Sequence, residues 1–362
     1  RDTLARLGND EFGVVLADMS KPEDAAHVAE EIARVFADPL IVAGHDLMLS
    51  ACGGVAVYPT DGGDGPQVLR RASVALSKAK SAGACVWRFY APEMDARAGE
   101  SVALAPRLRR AVERNEFQAH FQPYYDIPSS RLVGMEALLR WKSPEHGMVM
   151  PDRFIPVLEE TGLILQAGDQ VIGQVCRQLA AWRTAGRQVV PVAVNLSAAQ
   201  FRDERLPGVI ERMTGETGIE PGLLVFEITE STFMRDLGLT RRVLETLKGM
   251  GATIAIDDFG TGYSSLSYLK KFPVDYLKID RAFVREIETD PDDAALVAAM
   301  ISMAHSLNIK TIAEGVETIA QLRLLRILRC DVAQGYYFAR PLPPEEEDKL
   351  FAVFDPAAQK GP

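Results

Sequence analysis

Short hydrophobic runs alternate with segments of helical periodicity from residue 116 onward. Each run is about four to eight residues long, which is the usual length of a buried strand. The predicted strands cover residues 118–124, 132–139, 189–196, 223–228, 253–256, 274–279, 309–313 and, more weakly, 330–337.

Amphipathic patterns fill most of the intervals between these strands. The predicted helices cover residues 151–166, 169–185, 207–217, 240–250, 291–307 and 318–329. Regular alternation of strand and helix favours an α/β fold, either a TIM-type (β/α)8 barrel or, failing that, a doubly wound sheet. The first two predicted strands have no helix between them, which breaks the simple repeat.

Residues 1–91 show a different order of elements, which is typical of an α+β domain. The patterns predict a hairpin over residues 7–16, helices over 22–38 and 68–82, and strands over 40–42, 46–57 and 85–90. A helical pattern over residues 92–116 follows, so we interpret residues 92–103 as a linker and 104–355 as a second domain. Two domains suit a chain of 362 residues.

Polar side chains recur in the predicted strands of the second domain: Glu136 lies within the second strand, Gln334 lies in the last strand region, and the others lie at strand ends. The full set is Glu136, Asn195, Glu227, Asp257, Asp258, Lys278, Glu314 and Gln334. A charged group beside a buried strand is costly to desolvate unless it is paired or binds a metal. Because the strand ends of a parallel barrel meet at one rim, we expect these residues to converge in one pocket.

The chemistry of this set predicts a metal site. Carboxylates and one amide oxygen, without histidine or cysteine, suit Mg²⁺ or Mn²⁺ better than zinc. Adjacent Asp257 and Asp258 would let one carboxylate bridge two ions about 3.5–4 Å apart, as in metal-assisted phosphodiester hydrolysis. Lys278, beside those cations, is expected to have a lowered pKa and to orient or deprotonate the attacking water.

Composition narrows the classes of function. A net charge of −10 argues against nonspecific binding to duplex nucleic acid, which needs a basic surface. The cysteines Cys52, Cys85, Cys176 and Cys330 form no CxxC pair, so neither a zinc site nor a disulfide framework is indicated, and a cytoplasmic location fits best. No apolar run reaches the roughly 20 residues that span a bilayer, so no membrane contact is expected within this chain. Since the chain begins without methionine, we interpret it as a fragment of a longer protein, whose own membrane attachment stays open.

Seven motifs of the second domain resemble the EAL phosphodiesterase family and occur in the family's order. They are EALLRW, VNLS, FEITES, DDFGTGYSSL, LKID, AEGVE and QGYYFARP. The resemblance implies a modified TIM barrel that opens cyclic di-GMP to linear 5′-pGpG with two Mg²⁺ or Mn²⁺ ions. It also implies inhibition by Ca²⁺ and a homodimer formed through this domain.

The resemblance assigns the metal ligands and the residues around the attacking water. The first ion would be held by Glu136, Asn195, Glu227 and Asp257, and the second by Asp257, Asp258 and Glu314. Lys278 would contact the water, with Glu317 and Gln334 supporting the metal and water shell.

The resemblance also implies contacts with the substrate. Arg140 would bind a substrate phosphate, Gln122 and Asp280 would contact the nucleotide, and Pro341 would border a guanine. The turn through Gly260, Thr261 and Gly262 resembles the family's mobile loop, which Glu230 would fix and which would couple the metal site to the dimer interface.

The first domain resembles the C-terminal part of a GGDEF domain, the family that condenses GTP into cyclic di-GMP. The resemblance rests on RLGNDEF, ACGGVAVYPTDG and ASVALSKAKSAG. Asp10 and Glu11 match the motif acids and Gly8 the first glycine, but Asn9 replaces the second glycine. The segment with the other metal-binding acid is absent from this chain, and Asp2, at the inhibitory site, lacks its arginine partner. We therefore expect a degenerate domain without cyclase activity.

Two alternatives to the hydrolase remain open. One is a catalytically silent receptor or scaffold that binds cyclic di-GMP and signals through the attached GGDEF-like domain. The other is a residual cyclase in the first domain. Each acid taken singly is more readily explained as a helix cap or a surface ion-pair member. The joint set favours the hydrolase, because no metal-site residue is missing.

Overall fold

The computed structural model describes residues 2–8, 10–17, 19, 21, 24–36, 40–42, 45–47, 51–81, 87–235, 237–260 and 269–351. Contacts divide the chain into two compact units, Arg1–Ala103 and Leu104–Pro362. Among the described residues, no helix combines the length and apolar character that crossing a membrane requires.

The described residues of the first unit form three small two-stranded sheets. Strands β1 (Thr3–Arg6) and β2 (Phe12–Val15) form an antiparallel hairpin, as predicted. Strands β3 (Leu40–Val42) and β4 (His45–Leu47) also pair antiparallel. The third sheet consists of β5 (Gly53–Val55) and β6 (Trp87–Phe89), which run parallel. The single strand predicted over residues 46–57 is wrong, because β4 and β5 belong to different sheets.

Helices α1 (Asp24–Val35) and α2 (Gly65–Ser81) accompany these strands in the α+β arrangement of the first unit. Helix α2 packs closely on the backbone of β5. A Cβ atom on Gly54 would lie 2.1 Å from the carbonyl oxygen of Ala72 and 2.2 Å from the nitrogen of Leu76. Glycine is therefore required at this point of contact between helix and strand.

The predicted connecting helix is α3 (Pro92–Glu113). Its later residues belong to the second unit, where Leu104, Leu108 and Ala111 are buried in a cluster with Trp141. The apolar face of this part of α3 is thus part of the barrel unit's core.

The second unit contains a closed eight-stranded barrel, which confirms the predicted fold. The barrel strands are β7 (Phe117–Asp126), β8 (Leu132–Ser143), β10 (Val192–Leu196), β11 (Leu224–Thr229), β12 (Thr253–Phe259), β13 (Tyr276–Ile279), β14 (Lys310–Ala313) and β15 (Val332–Ala333). Strands β8 and β10 through β15 run parallel, whereas β7 is antiparallel to both of its neighbours, β15 and β8. A short strand that the sequence did not predict, β9 (Gly147–Val149), pairs antiparallel with the end of β8.

Helices follow most of the barrel strands. They are α4 (Pro151–Glu160), α5 (Ile164–Thr184), α6 (Ala198–Phe201), α7 (Leu206–Thr217), α8 (Glu230–Arg235), α9 (Leu237–Gly249), α10 (Arg281–Arg285), α11 (Pro291–Ser306), α12 (Ile319–Ile327) and α13 (Glu347–Leu350). The predicted boundary between the first two was wrong. Helix α4 ends before Gly162, whose φ of +72° leaves the helical region, and α5 begins directly afterwards.

The inside of the barrel holds a small apolar cluster separate from the layer between strands and helices. Its buried members are Tyr124, Ala193, Val225, Ala255, Ile312 and Val332, with Tyr276 partly buried against them. Side chains therefore fill the barrel interior, so it is a packed core and not a pore.

Asp331 joins two elements of the barrel wall through one carboxylate oxygen. Its Oδ2 accepts hydrogen bonds from the backbone nitrogen of Thr311 at 2.8 Å and from the Thr311 hydroxyl at 2.9 Å, and lies 2.8 Å from His305 Nε2. Burial raises the pKa of Asp331, but the hydrogen bonds from His305 and Thr311 outweigh burial, so its pKa is lowered overall.

We expect Asp331→Ala to lower the free energy of unfolding by about 1–3 kcal/mol, because the buried Thr311 N–H loses its acceptor. Since the folded pKa is depressed, the contribution is complete above the ordinary carboxyl pKa of about 4 and is lost as the pH falls through the folded value. Urea unfolding at pH 7 and at pH 3 measures both effects. Asp348→Ala, at a side chain 93% exposed, is the control and should change stability by less than about 0.5 kcal/mol. Equal losses in the two variants would contradict the prediction.

Candidate functional site at the barrel rim

Four carboxylates surround one ammonium group at the carboxyl-terminal rim of the barrel. Lys278, whose side chain is 1% exposed, places Nζ 2.6 Å from Glu314, 2.7 Å from Glu227, 3.1 Å from Asp257 and 3.8 Å from Glu136. These side chains come from β8, β11, β12 and β13 and from the residue after β14. The structure therefore brings together five residues that the sequence predicted to converge.

Amide side chains hold the Glu136 carboxylate on its other sides. Asn195 Nδ2 donates to Glu136 Oε1 at 2.6 Å, and Gln334 Nε2 donates to Glu136 Oε2 at 2.8 Å. The same nitrogen of Gln334 is 2.9 Å from Gln122 Oε1, and Gln122 in turn donates to the carbonyl oxygen of Ala339 at 3.0 Å. Asn195, Gln334 and Gln122 therefore belong to the same network as the acids.

Tyr124 is a contact of the site that the sequence reasoning missed. Its hydroxyl donates to Glu227 Oε1 at 2.8 Å from within the barrel. Burial, together with the carboxylates of Glu136 and Glu227, holds the pKa of Tyr124 well above its ordinary value. The sequence pattern did not indicate a functional role for Tyr124, because an aromatic residue in a hydrophobic run is predicted to belong to the core.

The adjacent acids Asp257 and Asp258 adopt different backbone conformations. The pairing of β12 with β13 shifts register between Ile256 and Phe259, and Asp258 has a φ of +54°. The backbone nitrogen of Asp258 donates to Asp257 Oδ1 at 3.0 Å. Burial and the neighbouring Asp257 raise the pKa of Asp258 to about 6. The positive φ of Asp258 is uncommon for a residue other than glycine, and it gives the side chains of Asp257 and Asp258 different directions.

The pKa values of Lys278, Glu227 and Glu314 are shifted by burial and by the excess of acids over bases in the cluster. Burial lowers the pKa of Lys278, but the four carboxylates outweigh burial and raise it well above its ordinary value. Burial raises the pKa of Glu314 to about 8, and it also raises that of Glu227 well above its usual range. The lowered pKa expected for Lys278 depends on neighbouring cations and stays a prediction.

The other predicted residues lie around this cluster to different degrees. Arg140 is buried, and its Nη1 donates to the carbonyl oxygen of Leu139 at 2.9 Å. Asp280 caps α10 by accepting from the nitrogen of Ala282 at 2.7 Å, and its carboxylate adds to the raised pKa of Asp258. Half-buried Pro341 lies beside β7.

Glu317 is not drawn into the cluster. Its side chain is exposed and, within the described part of the chain, makes no ion pair or hydrogen bond with the four acids. Its backbone nitrogen donates to Gln321 Oε1 at 2.7 Å, which places Glu317 just before α12. Within the described residues, no direct contact with the four acids supports the role predicted for Glu317.

Glu230 anchors the chain that leaves β12. Its Oε2 accepts a hydrogen bond from the backbone nitrogen of Gly260 at 3.0 Å, and Gly260 has a φ of +99°. A carboxylate at this position fixes the start of the predicted loop. Thr261 and Gly262 lie outside the described residues.

The motif acids of the first unit have local partners. Glu11 pairs with Lys80 at 3.0 Å, and Asp2 Oδ1 accepts from the backbone nitrogen of Ala17 at 3.0 Å. Asp10 is exposed, and Asn9 lies outside the described residues. These contacts stabilise local structure, and the described residues of the first unit show no second cluster of metal-ligating side chains.

The donor chemistry of the barrel site fits divalent cations. The predicted ligands offer carboxylate and amide oxygens, which Mg²⁺ and Mn²⁺ prefer. When ionised, four acids facing one lysine would carry an excess of buried negative charge, which bound cations would neutralise. Among the described residues, no group of three or more histidine, cysteine, aspartate or glutamate side chains has the geometry of a metal site. In the barrel cluster, Lys278 Nζ lies between the carboxylates of Glu227 and Glu314.

The fold and the site define a (β/α)-barrel protein with an oxygen-rich centre at the strand ends. The chain belongs to the EAL domain family, whose profile matches residues 105–341. A second profile, that of the diguanylate cyclase GGDEF domain, matches residues 1–85. EAL phosphodiesterases are in general dependent on divalent metals.

Similar proteins cover almost the whole chain. The bifunctional diguanylate cyclase/cyclic di-GMP phosphodiesterase MucR of Pseudomonas aeruginosa is 43% identical over 346 residues, which are 96% of this chain and 50% of that protein. The cyclic di-GMP phosphodiesterase NbdA of the same organism is 36% identical over 342 residues, covering 94% of this chain and 44% of that protein. The chain thus spans about half the length of the curated relatives it matches.

A solved structure extends the likeness to the fold of the barrel. The phosphodiesterase of PaMucR in complex with c-di-GMP has a TM-score of 0.66 and 45% sequence identity to this chain. The match covers 68% of this chain and 99% of that one.

Proposed function

We propose that this chain is a cyclic di-GMP phosphodiesterase that hydrolyses cyclic di-GMP to linear 5′-pGpG with two Mg²⁺ or Mn²⁺ ions. The observation that carries the proposal is the cluster of four carboxylates around buried Lys278 at the barrel rim. Support also comes from the names of the relatives MucR and NbdA, both of which include cyclic di-GMP phosphodiesterase.

The proposed ligands divide between two ions. Glu136, Asn195, Glu227 and Asp257 would hold one ion, and Asp257, Asp258 and Glu314 the other. When bound, such ions supply a nucleophile at neutral pH and stabilise the phosphoryl oxygens during in-line displacement.

The residues of the chain then bind the substrate and orient the water. Lys278 Nζ, held among the acids, donates hydrogen bonds to the attacking water and orients it. Gln334 keeps the Glu136 carboxylate fixed. We assign Arg140 to a substrate phosphate, because a guanidinium is a strong partner for phosphate oxygens, and its burial shields that contact from solvent.

Further assignments follow the same proposal. Gln122, Asp280 and Pro341 would contact the nucleotide, Glu317 would support the water shell, and Glu230 would anchor the loop after Gly260. We also propose a homodimer formed through the barrel unit and a cytoplasmic location for this part of the protein.

The assay that tests the proposal uses the purified chain, cyclic di-GMP and either Mg²⁺ or Mn²⁺. We expect chromatography to show linear 5′-pGpG, and we expect no product when EDTA removes the ions. Unchanged substrate in the presence of either ion would refute the phosphodiesterase. If calorimetry then showed binding of cyclic di-GMP without product, the chain would be a receptor instead.

A further inference from the structure

The ring of Tyr124 lies in the apolar cluster inside the barrel, and its hydroxyl reaches the carboxylate cluster. Tyr124 is 5% exposed, and its hydroxyl donates to Glu227 Oε1 at 2.8 Å. The other oxygen of this carboxylate, Oε2, lies 2.7 Å from Lys278 Nζ. The two oxygens of Glu227 are thus held by different donors, one from inside the barrel and one from the rim.

Holding both oxygens fixes the plane of the Glu227 carboxylate. The last torsion of a glutamate side chain is broad, so a single hydrogen bond leaves the carboxylate free to rotate. A second donor on the opposite oxygen removes this freedom. Because this carboxyl group is almost completely buried, both hydrogen bonds are shielded from competing water.

The barrel interior is shaped to accept the Tyr124 ring. Alanines at positions 193 and 255 contribute small side chains to the cluster in which the ring lies. Gly134 lies opposite Tyr124 in the register of β7 and β8, and a Cβ there would lie 3.2 Å from the ring atom Cδ2. Phenylalanine would fill this space equally well, so the packing of the ring and the action of the hydroxyl can be separated.

We propose that Tyr124 is a positioning residue that orients the Glu227 carboxylate for a divalent cation. This inference rests on the proposed function, which makes Glu227 a metal ligand. Groups that hydrogen-bond to metal-ligating side chains typically contribute 10- to 100-fold to metal affinity. Tyr124 acts through Glu227 and has no role of its own in contacting the substrate.

A purely structural role makes a different prediction. A buried tyrosine hydroxyl needs a hydrogen-bond partner whatever the function of the site, and Glu227 could be that partner alone. In that case Tyr124→Phe would change the stability of the fold and leave the affinity for cations unchanged.

The test measures Mn²⁺ binding to the purified full chain without substrate, by electron paramagnetic resonance and calorimetry. We expect Tyr124→Phe to weaken Mn²⁺ binding about 10-fold or more, with the unfolding midpoint in EDTA measured alongside. The matched control is Tyr276→Phe. Tyr276 is half-buried against the same interior cluster, and its hydroxyl forms no hydrogen bond within the described residues.

A double-mutant cycle shows whether the effect passes through Glu227. In a Glu227→Ala background, we expect Tyr124→Phe to weaken Mn²⁺ binding by less than about 2-fold, because the oxygen that accepts its hydrogen bond is gone. Unchanged Mn²⁺ affinity in Tyr124→Phe, an equal loss in Tyr276→Phe, or additive losses in the double variant would each overturn the inference.

Failure of this inference can be told apart from failure of the proposed function. If the wild-type chain hydrolyses cyclic di-GMP while Tyr124→Phe binds Mn²⁺ normally, the positioning role is wrong and the phosphodiesterase stands. If the chain binds Mn²⁺ in a Tyr124-dependent manner without hydrolysis, the positioning role stands and the phosphodiesterase is wrong. A wild-type chain that binds no Mn²⁺ would overturn both.

Discussion

Asp257→Asn is expected to lower the rate of cyclic di-GMP hydrolysis by about 10²- to 10³-fold. The Asp257 carboxylate lies 3.1 Å from Lys278 Nζ and accepts the backbone N–H of Asp258 at 3.0 Å. It is also the proposed ligand shared by both ions. Asparagine keeps the shape of the side chain but removes its charge, so the loss reports the electrostatic role of Asp257 in binding and in the transition state.

The measurement is kcat at saturating Mn²⁺, together with a Mn²⁺ titration that separates lost affinity from lost turnover. Asp348→Asn is the matched control, because the same chemical change at a side chain 93% exposed should leave the rate unchanged. A rate for Asp257→Asn within a few-fold of wild type would remove Asp257 from the proposed metal site.

Lys278→Met is expected to affect turnover and stability together. Loss of a group that orients or exchanges protons with the attacking water typically costs about 10²- to 10⁴-fold in rate. In EDTA, the free energy of unfolding should fall by about 3–5 kcal/mol, because the buried carboxylates of Glu136 and Glu227 lose their cationic partner. Added Mn²⁺ should restore part of this stability, since divalent cations supply positive charge to the same acids.

Urea unfolding with EDTA and with Mn²⁺ tests the stability effect, and the cyclic di-GMP assay tests the rate. Lys248→Met provides the comparison, because Lys248 pairs with Asp275 at 2.8 Å while its side chain remains 31% exposed. We expect this variant to lose about 1 kcal/mol or less. Equal stability of Lys278→Met and wild type in EDTA would show that the ion cluster contributes nothing to the fold.

The convergence of the barrel site could be predicted because two simple regularities reinforce each other. Hydrophobic runs mark buried strands, and parallel strands of a barrel end at one rim. Glu227 and Lys278 follow from this argument, and the structure places them 2.7 Å apart. The functional assignment needed the order of motifs as well, since an isolated acid after a strand has many explanations.

Details that depend on side-chain direction could not be predicted. Tyr124 lies within a hydrophobic run, and only its side-chain direction in the folded barrel brings its hydroxyl to Glu227 on β11, a strand that does not pair with β7. The left-handed conformation of Asp258 likewise arises from a register shift beside β13. Neither feature leaves a trace in hydrophobic periodicity.

The short helices were missed for a related reason. Helices α6, α8, α10 and α13 have four to six residues, which is too few to display a repeat of 3.6 residues. The break between α4 and α5 depends on the conformation of Gly162, which the amphipathic pattern on either side concealed.

The reversed direction of β7 determines at which end of the barrel the chain enters from α3. In an all-parallel barrel the chain would enter its first strand at the end remote from the reactive centre. Here Phe117, at the start of β7, pairs with Trp141 near the end of β8, and the Trp141 indole donates to Glu116 at 3.0 Å. The chain arriving from α3 therefore enters on the reactive side, a short way along β7 from Gln122. A shift of residues 104–113 of that helix would therefore reach β7 at the rim that carries the carboxylates.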